Sequence, residues 1–251
     1  MLEHIDAARV LFLDIETVSG RANFAELDDT FRALWAHKAP GVLRRYGEEL
    51  TDEEVAASYN DRAGIFAEFG KIVCISVGVV HRDRDKQLTI RLKSFADREE
   101  TKLLEEFSAM LDQYYGDVNK QFLCGHNIKE FDVPYLCRRL VANGLPLPRM
   151  LDIAGKKPWQ TPHLLDTLEL WKFGDRKNFT SLKLLAAVLG FPSPKDDIDG
   201  SEVGRVFWEE DDLERIAVYC EKDVLATAQL FLRYQRKPLL EDHQVTFVDR
   251  D

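Results

Sequence analysis

The segment Arg9-Val-Leu-Phe-Leu-Asp14-Ile-Glu16 is a short apolar run followed by two acids. A run of this kind predicts a buried β-strand. Residues two apart on a strand share one face, so the side chains of Asp14 and Glu16 are expected to point the same way. The carboxyl end of a central strand is also where open α/β sheets place their binding sites. Taken alone, the pair is explained more simply by a solvated strand end or a helix cap.

Strand and helix patterns alternate along the rest of the chain. The segments with the pattern of further strands are 71–80, 87–95, 121–124 and 163–170. The segments with the apolar periodicity of helices are 97–115, 133–141, 180–189 and 211–234. Residues 21–68 are charged and mostly helical in pattern, and a polar tail spans 238–251. This order predicts one α/β domain with a mixed five-stranded sheet flanked by helices.

The composition excludes several classes of protein. The 251 residues carry a net charge of −10, which argues against coating a long duplex but allows a local site where metal ions meet phosphates. We expect no membrane contact, because no stretch approaches the ~18 apolar residues of a membrane helix. Charged residues within the first ten positions argue against a secretory signal peptide. The cysteines are irregularly spaced without a Cys-x-x-Cys pair, so we expect a reducing, cytoplasmic location and no zinc cluster.

A second acidic segment is His126-Asn127-Ile-Lys-Glu-Phe131-Asp132, between a predicted strand and a predicted helix. Pro134 suits a first helical turn, so Asp132 is expected at or just before the helix N-terminus. Aspartate is a preferred cap and needs no further role there. A histidine such as His126 is likewise more often a loop or core residue than a ligand. The segment alone therefore does not specify a function.

A third segment, Tyr219-Cys-Glu-Lys-Asp223, lies on the last predicted helix. Tyr219 and Asp223 are neighbours on one face because they are four residues apart. They fall on the flank of the apolar stripe of this helix, where an acid requires a partner. A purely structural hydrogen bond between the two side chains is the alternative explanation.

Together, the three segments resemble the tyrosine subclass of the DEDD family of 3′–5′ exonucleases, and the exonuclease domain of family B DNA polymerases is most similar. The matching motifs are Asp14-x-Glu16, Asn127-x-x-x-Phe131-Asp132 and Tyr219-x-x-x-Asp223. The resemblance covers about residues 9–235 and implies a ribonuclease H-like fold. The histidine subclass would place a histidine five residues before the last acid, where this chain has Val218. Two departures are the helical insertion at 20–70 and the lack of a polymerase domain in this chain.

The resemblance also implies a metal centre. Clustered carboxylates repel one another unless a cation neutralises them, and oxygen ligands favour Mg²⁺ or Mn²⁺ over zinc. Two divalent cations are implied, with Asp14 bridging both, Glu16 and Asp223 completing the first site and Asp132 supporting the second. Tyr219 is expected to orient the attacking water, because a phenol with a pKa near ~10 is a poor base.

The substrate-binding residues that the resemblance implies are Thr17, Asn127 and Phe131. Glu16 would also meet the terminal 3′-hydroxyl, which explains attack from a free end. Asn127 and Phe131 would shape the floor under the terminal nucleotides, and Thr17 would offer its backbone to the terminal sugar. Packing or turn roles would account for Thr17, Asn127 and Phe131 equally well.

Predicted loops carry residues that fit a groove for a single strand, although surface charges beside core aromatics explain them equally well. These residues are Lys156, Lys157, Trp159, Phe173, Arg176 and Lys177. Asp166, at the end of the fifth predicted strand, is either a supporting acid or a helix cap.

The implied function is a metal-dependent 3′–5′ exonuclease. It would release nucleoside 5′-monophosphates from the 3′ end of single-stranded DNA by two-metal phosphodiester hydrolysis. DNA is preferred by analogy with the polymerases, not from site chemistry. The alternatives are an exoribonuclease that trims RNA 3′ ends on the same fold, and a catalytically silent module that binds nucleic acid or protein. The sequence leaves open a polymerase or DNA repair factor as partner, the oligomeric state, the pathway and the role of residues 20–70.

Overall fold

A mixed sheet lies at the centre of the computed structural model, which describes residues 1–175, 179–192 and 197–248. Its strands are β1 Val10–Ser19, β2 Gly70–Arg82, β3 Leu88–Ala96, β4 Phe122–Gly125, β5 Leu164–Asp166 and β6 Val245–Phe247. The helices are α1 Asp29–Val42, α2 Asp52–Arg62, α3 Glu100–Tyr114, α4 Asp132–Ala142, α5 Thr167–Lys172, α6 Leu182–Leu189, α7 Val203–Arg205 and α8 Leu213–Tyr234. Within the described residues, none of these helices combines the length and apolarity needed to cross a bilayer.

The strands lie in the order β5-β4-β1-β2-β3-β6, so β1 is central. It pairs in parallel with β4 only along its first three residues, Val10 to Phe12. Its antiparallel pairing with β2 continues to Ser19. The strand therefore extends past the end of β4, and one edge of β1 is open from about Asp14 onward.

The two faces of β1 serve different cores. Leu11, Leu13 and Ile15 pack with α3 and α4 in the largest apolar cluster. On the other face, Val10 and Phe12 pack under the C-terminal half of α8, and Val18 packs under its N-terminal half. Asp14 and Glu16 lie on this same face of β1. The acids thus interrupt an otherwise apolar surface that α8 covers.

Two strand predictions were wrong in extent. The segment 163–170 is a strand only over Leu164–Asp166, because the Asp166 carboxylate accepts the backbone N–H groups of Leu168 and Glu169 and starts α5. The sheet of the described residues has six strands and not five. The extra strand, β6, lies in the predicted polar tail and pairs with residues 90–92 of β3, and three residues are too short for a periodic signal.

The helical pattern of residues 21–68 corresponds to α1 and α2, which share a small core of their own. That core consists of Trp35, Ala39, Val55, Tyr59 and Ala63. The Trp35 indole N–H donates to Ser58 Oγ at 3.0 Å, which fixes the two helices against each other. The insertion leaves and rejoins the sheet at adjacent points, where the Gly20 N–H donates to the Phe69 carbonyl oxygen at 2.7 Å.

Gly78 on β2 allows α8 to approach the sheet closely. A Cβ atom at this position would lie 2.8 Å from Cγ1 of Val224 and 3.0 Å from Cδ2 of Leu92. Gly78→Ala is therefore expected to lower the free energy of unfolding by about 1–3 kcal/mol through overpacking. Urea denaturation should show this loss.

The contact with Val224 can be tested by a double-mutant cycle. If α8 is the element that is displaced, Val224→Ala should cost less in the Gly78→Ala background than in the wild type, with a coupling of about 1 kcal/mol. Strictly additive losses would show that the helix does not press on this position.

Candidate active site

The packing of α8 across β1 brings two of the predicted motifs together. Cys220 Sγ lies 3.5 Å from both the carbonyl oxygen and Oδ2 of Asp14. One potential ligand atom from each of Asp14, Glu16 and Cys220 lies within 4.8 Å of the others. Glu16 is 8% exposed, whereas Asp14 is partly exposed. The strand contributes two carboxylates and the helix covers them.

A β-bulge beside Glu16 shapes this part of the sheet. Glu16 pairs with Cys74, but Thr17 pairs with Ile72, so Val73 is an extra residue on β2. As a result, Val73 and Cys74 both contribute to the cluster under α8. Bulges of this kind redirect side chains and are common beside active sites.

Tyr219 and Asp223 extend the acidic group along α8. The two side chains are hydrogen-bonded, as the spacing predicts. Burial raises the pKa of Tyr219 far above its ordinary value, and the charges of Glu16, Asp223 and Asp14 add to that shift. The Tyr219 hydroxyl therefore stays protonated at neutral pH and cannot serve as a base.

Asp132 joins the group from the opposite face of the sheet. It is the first residue of α4 and is 3% exposed. Its carboxylate accepts the backbone N–H of Ile15, on the edge of β1 where β4 has ended. Burial raises the pKa of Asp132 to about 7, and the charges of Asp166 and Asp223 contribute to the increase.

The acids cannot all be ionised without compensation. Burial raises the pKa of Asp14 well above its ordinary value, and the charges of Asp223, Asp132 and Glu16 raise it further. A divalent cation would remove that penalty, and the donor set is carboxylate oxygens with one neighbouring thiol. Such a set fits Mg²⁺ or Mn²⁺, which prefer oxygen ligands.

Asp166 supports the second motif from β5. Its carboxylate accepts the backbone N–H groups of Asn127 at 3.0 Å and Lys129 at 3.1 Å, in addition to capping α5. The capping role considered from the sequence is therefore confirmed, and the same carboxylate also holds the turn of the second motif. The turn it holds places Asn127 at φ 68°, a left-handed conformation that asparagine tolerates better than most residues.

The predicted substrate residues have structural contacts of their own. The Phe131 ring packs on Tyr135 with centroids 5.4 Å apart, and Thr17 hydrogen-bonds the Tyr135 side chain. His126 has partners in Thr167 Oγ1 at 3.0 Å and the Thr180 carbonyl oxygen at 2.9 Å, consistent with a structural role. These contacts leave the substrate roles of Thr17, Asn127 and Phe131 as predictions.

The aromatic residues of the predicted groove are at the surface and not in the core. Trp159 is 73% exposed and Phe173 is 78% exposed. The residues next to them, together with Asn127, line a pocket of about 640 Å³. Lys157 Nζ lies 5.0 Å from the Trp159 ring centroid. Arg176 and Lys177 lie outside the described residues.

Cys220 was missed as a site residue. Its position on the apolar stripe of the last helix predicted burial alone, and the structure confirms that burial. Its contact with Asp14 depends on the crossing of α8 over β1, which local sequence does not specify.

The mixed sheet and its flanking helices agree with the predicted ribonuclease H-like fold. The chain belongs to the family described as "Predicted 3′-5′ exonuclease related to the exonuclease domain of PolB", whose model matches residues 65–243. That match contains Asp132, Tyr219 and Asp223 but begins after β1, so the structure is what brings Asp14 and Glu16 to the same place.

A solved structure supports the fold. The family B DNA polymerase of the hyperthermophilic archaeon Pyrobaculum calidifontis superposes with a TM-score of 0.52 at 17% sequence identity. The match covers 90% of this chain but only 24% of the polymerase. A search of curated proteins finds no significant match.

The raised pKa of Asp132 predicts how stability depends on pH when metal is removed. The side chain has a pKa near ~4 in the unfolded chain and about 7 when folded. Its contribution is therefore present at low pH and is lost as the pH rises toward 7. In EDTA, we expect the Tm to fall by roughly 5 °C or more between pH 5 and pH 8.

Asp132→Asn is the control, because the amide does not titrate. Its metal-free Tm should depend less on pH than that of the wild type, measured by scanning calorimetry in matched buffers. Equal pH dependence in both proteins would contradict the assignment.

Proposed function

We propose that the protein is a metal-dependent exonuclease that removes nucleotides from the 3′ end of single-stranded DNA and releases nucleoside 5′-monophosphates. The observation that carries this proposal is the convergence of β1, α4 and α8 on one group of acids with raised pKa values. Burial and mutual repulsion make the ionised form of these acids costly unless cations bind. Membership in the exonuclease family supports a role for those cations in phosphodiester hydrolysis.

Each residue has a role in this proposal. Asp14, Glu16, Asp132 and Asp223 would hold Mg²⁺ or Mn²⁺. When bound, such ions lower the pKa of water and stabilise charge on the leaving oxygen. Tyr219, held by Asp223 and protonated, would orient the attacking water. Glu16 would accept the terminal 3′-hydroxyl, and this contact would set the direction of degradation.

The strand would enter past the pocket beside Asn127. Exposed aromatic rings bind single strands by stacking on bases without sequence preference. Trp159 and Phe173 flank this pocket through their neighbours Pro158, Lys172 and Gly174. Phe173 has φ 45°, so an aromatic ring is held in solvent on a backbone conformation that is unfavourable for phenylalanine.

The reaction can be tested with a 5′-labelled single-stranded DNA oligonucleotide and Mn²⁺. The wild type should produce a ladder that shortens from the 3′ end. Asp14→Ala should lower the rate by at least ~100-fold, because its carboxylate lies at the centre of the acidic group. Glu214→Gln, an exposed acid on the same helix, should behave as the wild type.

The alternatives predict other results. An exoribonuclease would shorten a matched RNA oligonucleotide in preference to the DNA. A silent module would shorten neither strand, and its Tm would not rise with Mn²⁺ up to tens of millimolar. Equal degradation by the wild type and the Asp14→Ala protein would point to a contaminant and contradict the proposed site.

The entry path makes a separate prediction. Trp159→Ala and Phe173→Ala should each raise KM for a single-stranded oligonucleotide roughly 5-fold or more, since one base–aromatic stack contributes about 1–3 kcal/mol. The kcat value should change little, because neither ring belongs to the acidic group.

Tyr114→Ala is the matched control, because this ring is also exposed, at 60%, but lies on α3. Its KM should equal that of the wild type. If all three variants keep the wild-type KM, the strand follows another path.

A further inference from the structure

A row of polar side chains crosses the sheet beneath α8. The strand register places Asp14 opposite Ser76, and Ser76 opposite Ser94. Ser76 is fully buried, and its hydroxyl lies 2.7 Å from that of Ser94. The row separates the two apolar clusters that α8 covers. Aliphatic side chains here would bury more apolar surface, so the polar row requires an explanation.

The far end of the row meets Glu221 of α8. This side chain is 1% exposed, and its Oε1 accepts the Ser94 hydroxyl at 2.7 Å. Burying a carboxylate is expensive even when it is hydrogen-bonded. Glu221 lies in the same turn of the helix as Tyr219, Cys220 and Asp223. The anchor on β3 therefore fixes the part of α8 that carries the motif.

The number of available hydrogens determines which group donates in each hydrogen bond of the row. The Ser94 hydroxyl donates to Glu221 Oε1, so its single hydrogen is committed to that contact. Ser76 must then donate to Ser94. The Ser76 oxygen remains free to accept from the thiol of Cys74, whose Sγ lies 3.6 Å away. The contact with Glu221 thus fixes which hydroxyl donates at each step up to Cys74.

The other end of the row reaches the acidic group. Cys74 and Cys220 are buried in one cluster, and their thiols interact. The Cys220 thiol in turn lies 3.5 Å from Oδ2 of Asp14. The uninterrupted series of contacts is Glu221, Ser94, Ser76, Cys74, Cys220 and Asp14.

We propose that Glu221 is a positioning residue for the metal-binding acids, which it serves by anchoring the motif-bearing turn of α8 to β3. This inference rests on the proposed function in taking Asp14 as a metal ligand. Partners that orient a metal ligand typically affect metal affinity or activity 10–100-fold. Glu221 and Asp14 lie at opposite ends of the row, so Glu221 would act on Asp14 without touching it.

The test uses Glu221→Gln, Glu221→Leu and Ser94→Ala, with Glu214→Gln as an exposed control on the same helix. Three measurements are made for each: the metal-free Tm, the Kd for Mn²⁺ by electron paramagnetic resonance, and steady-state kinetics on the oligonucleotide, which give kcat and KM. We expect a Kd for Mn²⁺ about 10-fold higher and a kcat about 10-fold lower, with KM unchanged. Glu214→Gln should match the wild type in all three.

Glu221→Leu separates positioning from stability. Removing one member of a buried polar contact can lower the Tm, but Mn²⁺ binding should weaken by more than the fall in Tm predicts. Wild-type Kd and kcat in both Glu221 variants would overturn the proposal, as would losses that only follow the Tm. If the wild type degrades no substrate, the proposed function fails, but Mn²⁺ binding still tests the role of Glu221. A higher Kd for Mn²⁺ in the variants than in the wild type would support that role. An unchanged Kd, or no Mn²⁺ binding by the wild type, would overturn it.

Discussion

The packing of α8 against the face of β1 that carries Asp14 and Glu16 is the contact on which the rest of the structure depends. The helix must bury its apolar stripe, and the available surface is interrupted by those two acids. Apolar contacts on both sides hold the helix in place, with Phe12 against Phe231 at 5.4 Å between ring centroids on one side. The contact that forms the core therefore also brings the acids together. A substitution that moves α8 would alter both the core packing and the arrangement of the acids.

The early end of β4 along one edge of β1 has a similar double effect. β4 stops early, so the Ile15 N–H is left without a strand partner on that edge, and Asp132 takes its place. A backbone group that would otherwise be unsatisfied thus orients an acid from the opposite layer of the molecule. The acidic group is built from three elements, each of which is tied to the sheet by ordinary backbone or packing interactions.

Much of this arrangement could be predicted from the sequence because its signals are local. The apolar run before Asp14, the helical stripe of residues 211–234 and the helix start at Asp132 each appear within a few residues. The resemblance to the exonuclease motifs then linked segments that are distant in the chain. Features that depend on tertiary pairing could not be predicted, such as β6, the β-bulge opposite Glu16 and the position of Cys220. The role of Asp166 could not be decided from the sequence, because a helix cap and an acid that supports the site would both use its carboxylate oxygens.

The insertion between β1 and β2 also bears on how the sheet assembles. Joining two antiparallel strands across about fifty residues of flexible chain would carry a large closure entropy, which grows with the logarithm of loop length. Here the intervening chain has its own tryptophan-centred core, and its two ends meet at Gly20 and Phe69. Once α1 and α2 have docked, the strands are presented to each other as in a short hairpin. A distant pairing is thereby converted into an effectively local one, which lowers the kinetic barrier to forming the centre of the sheet.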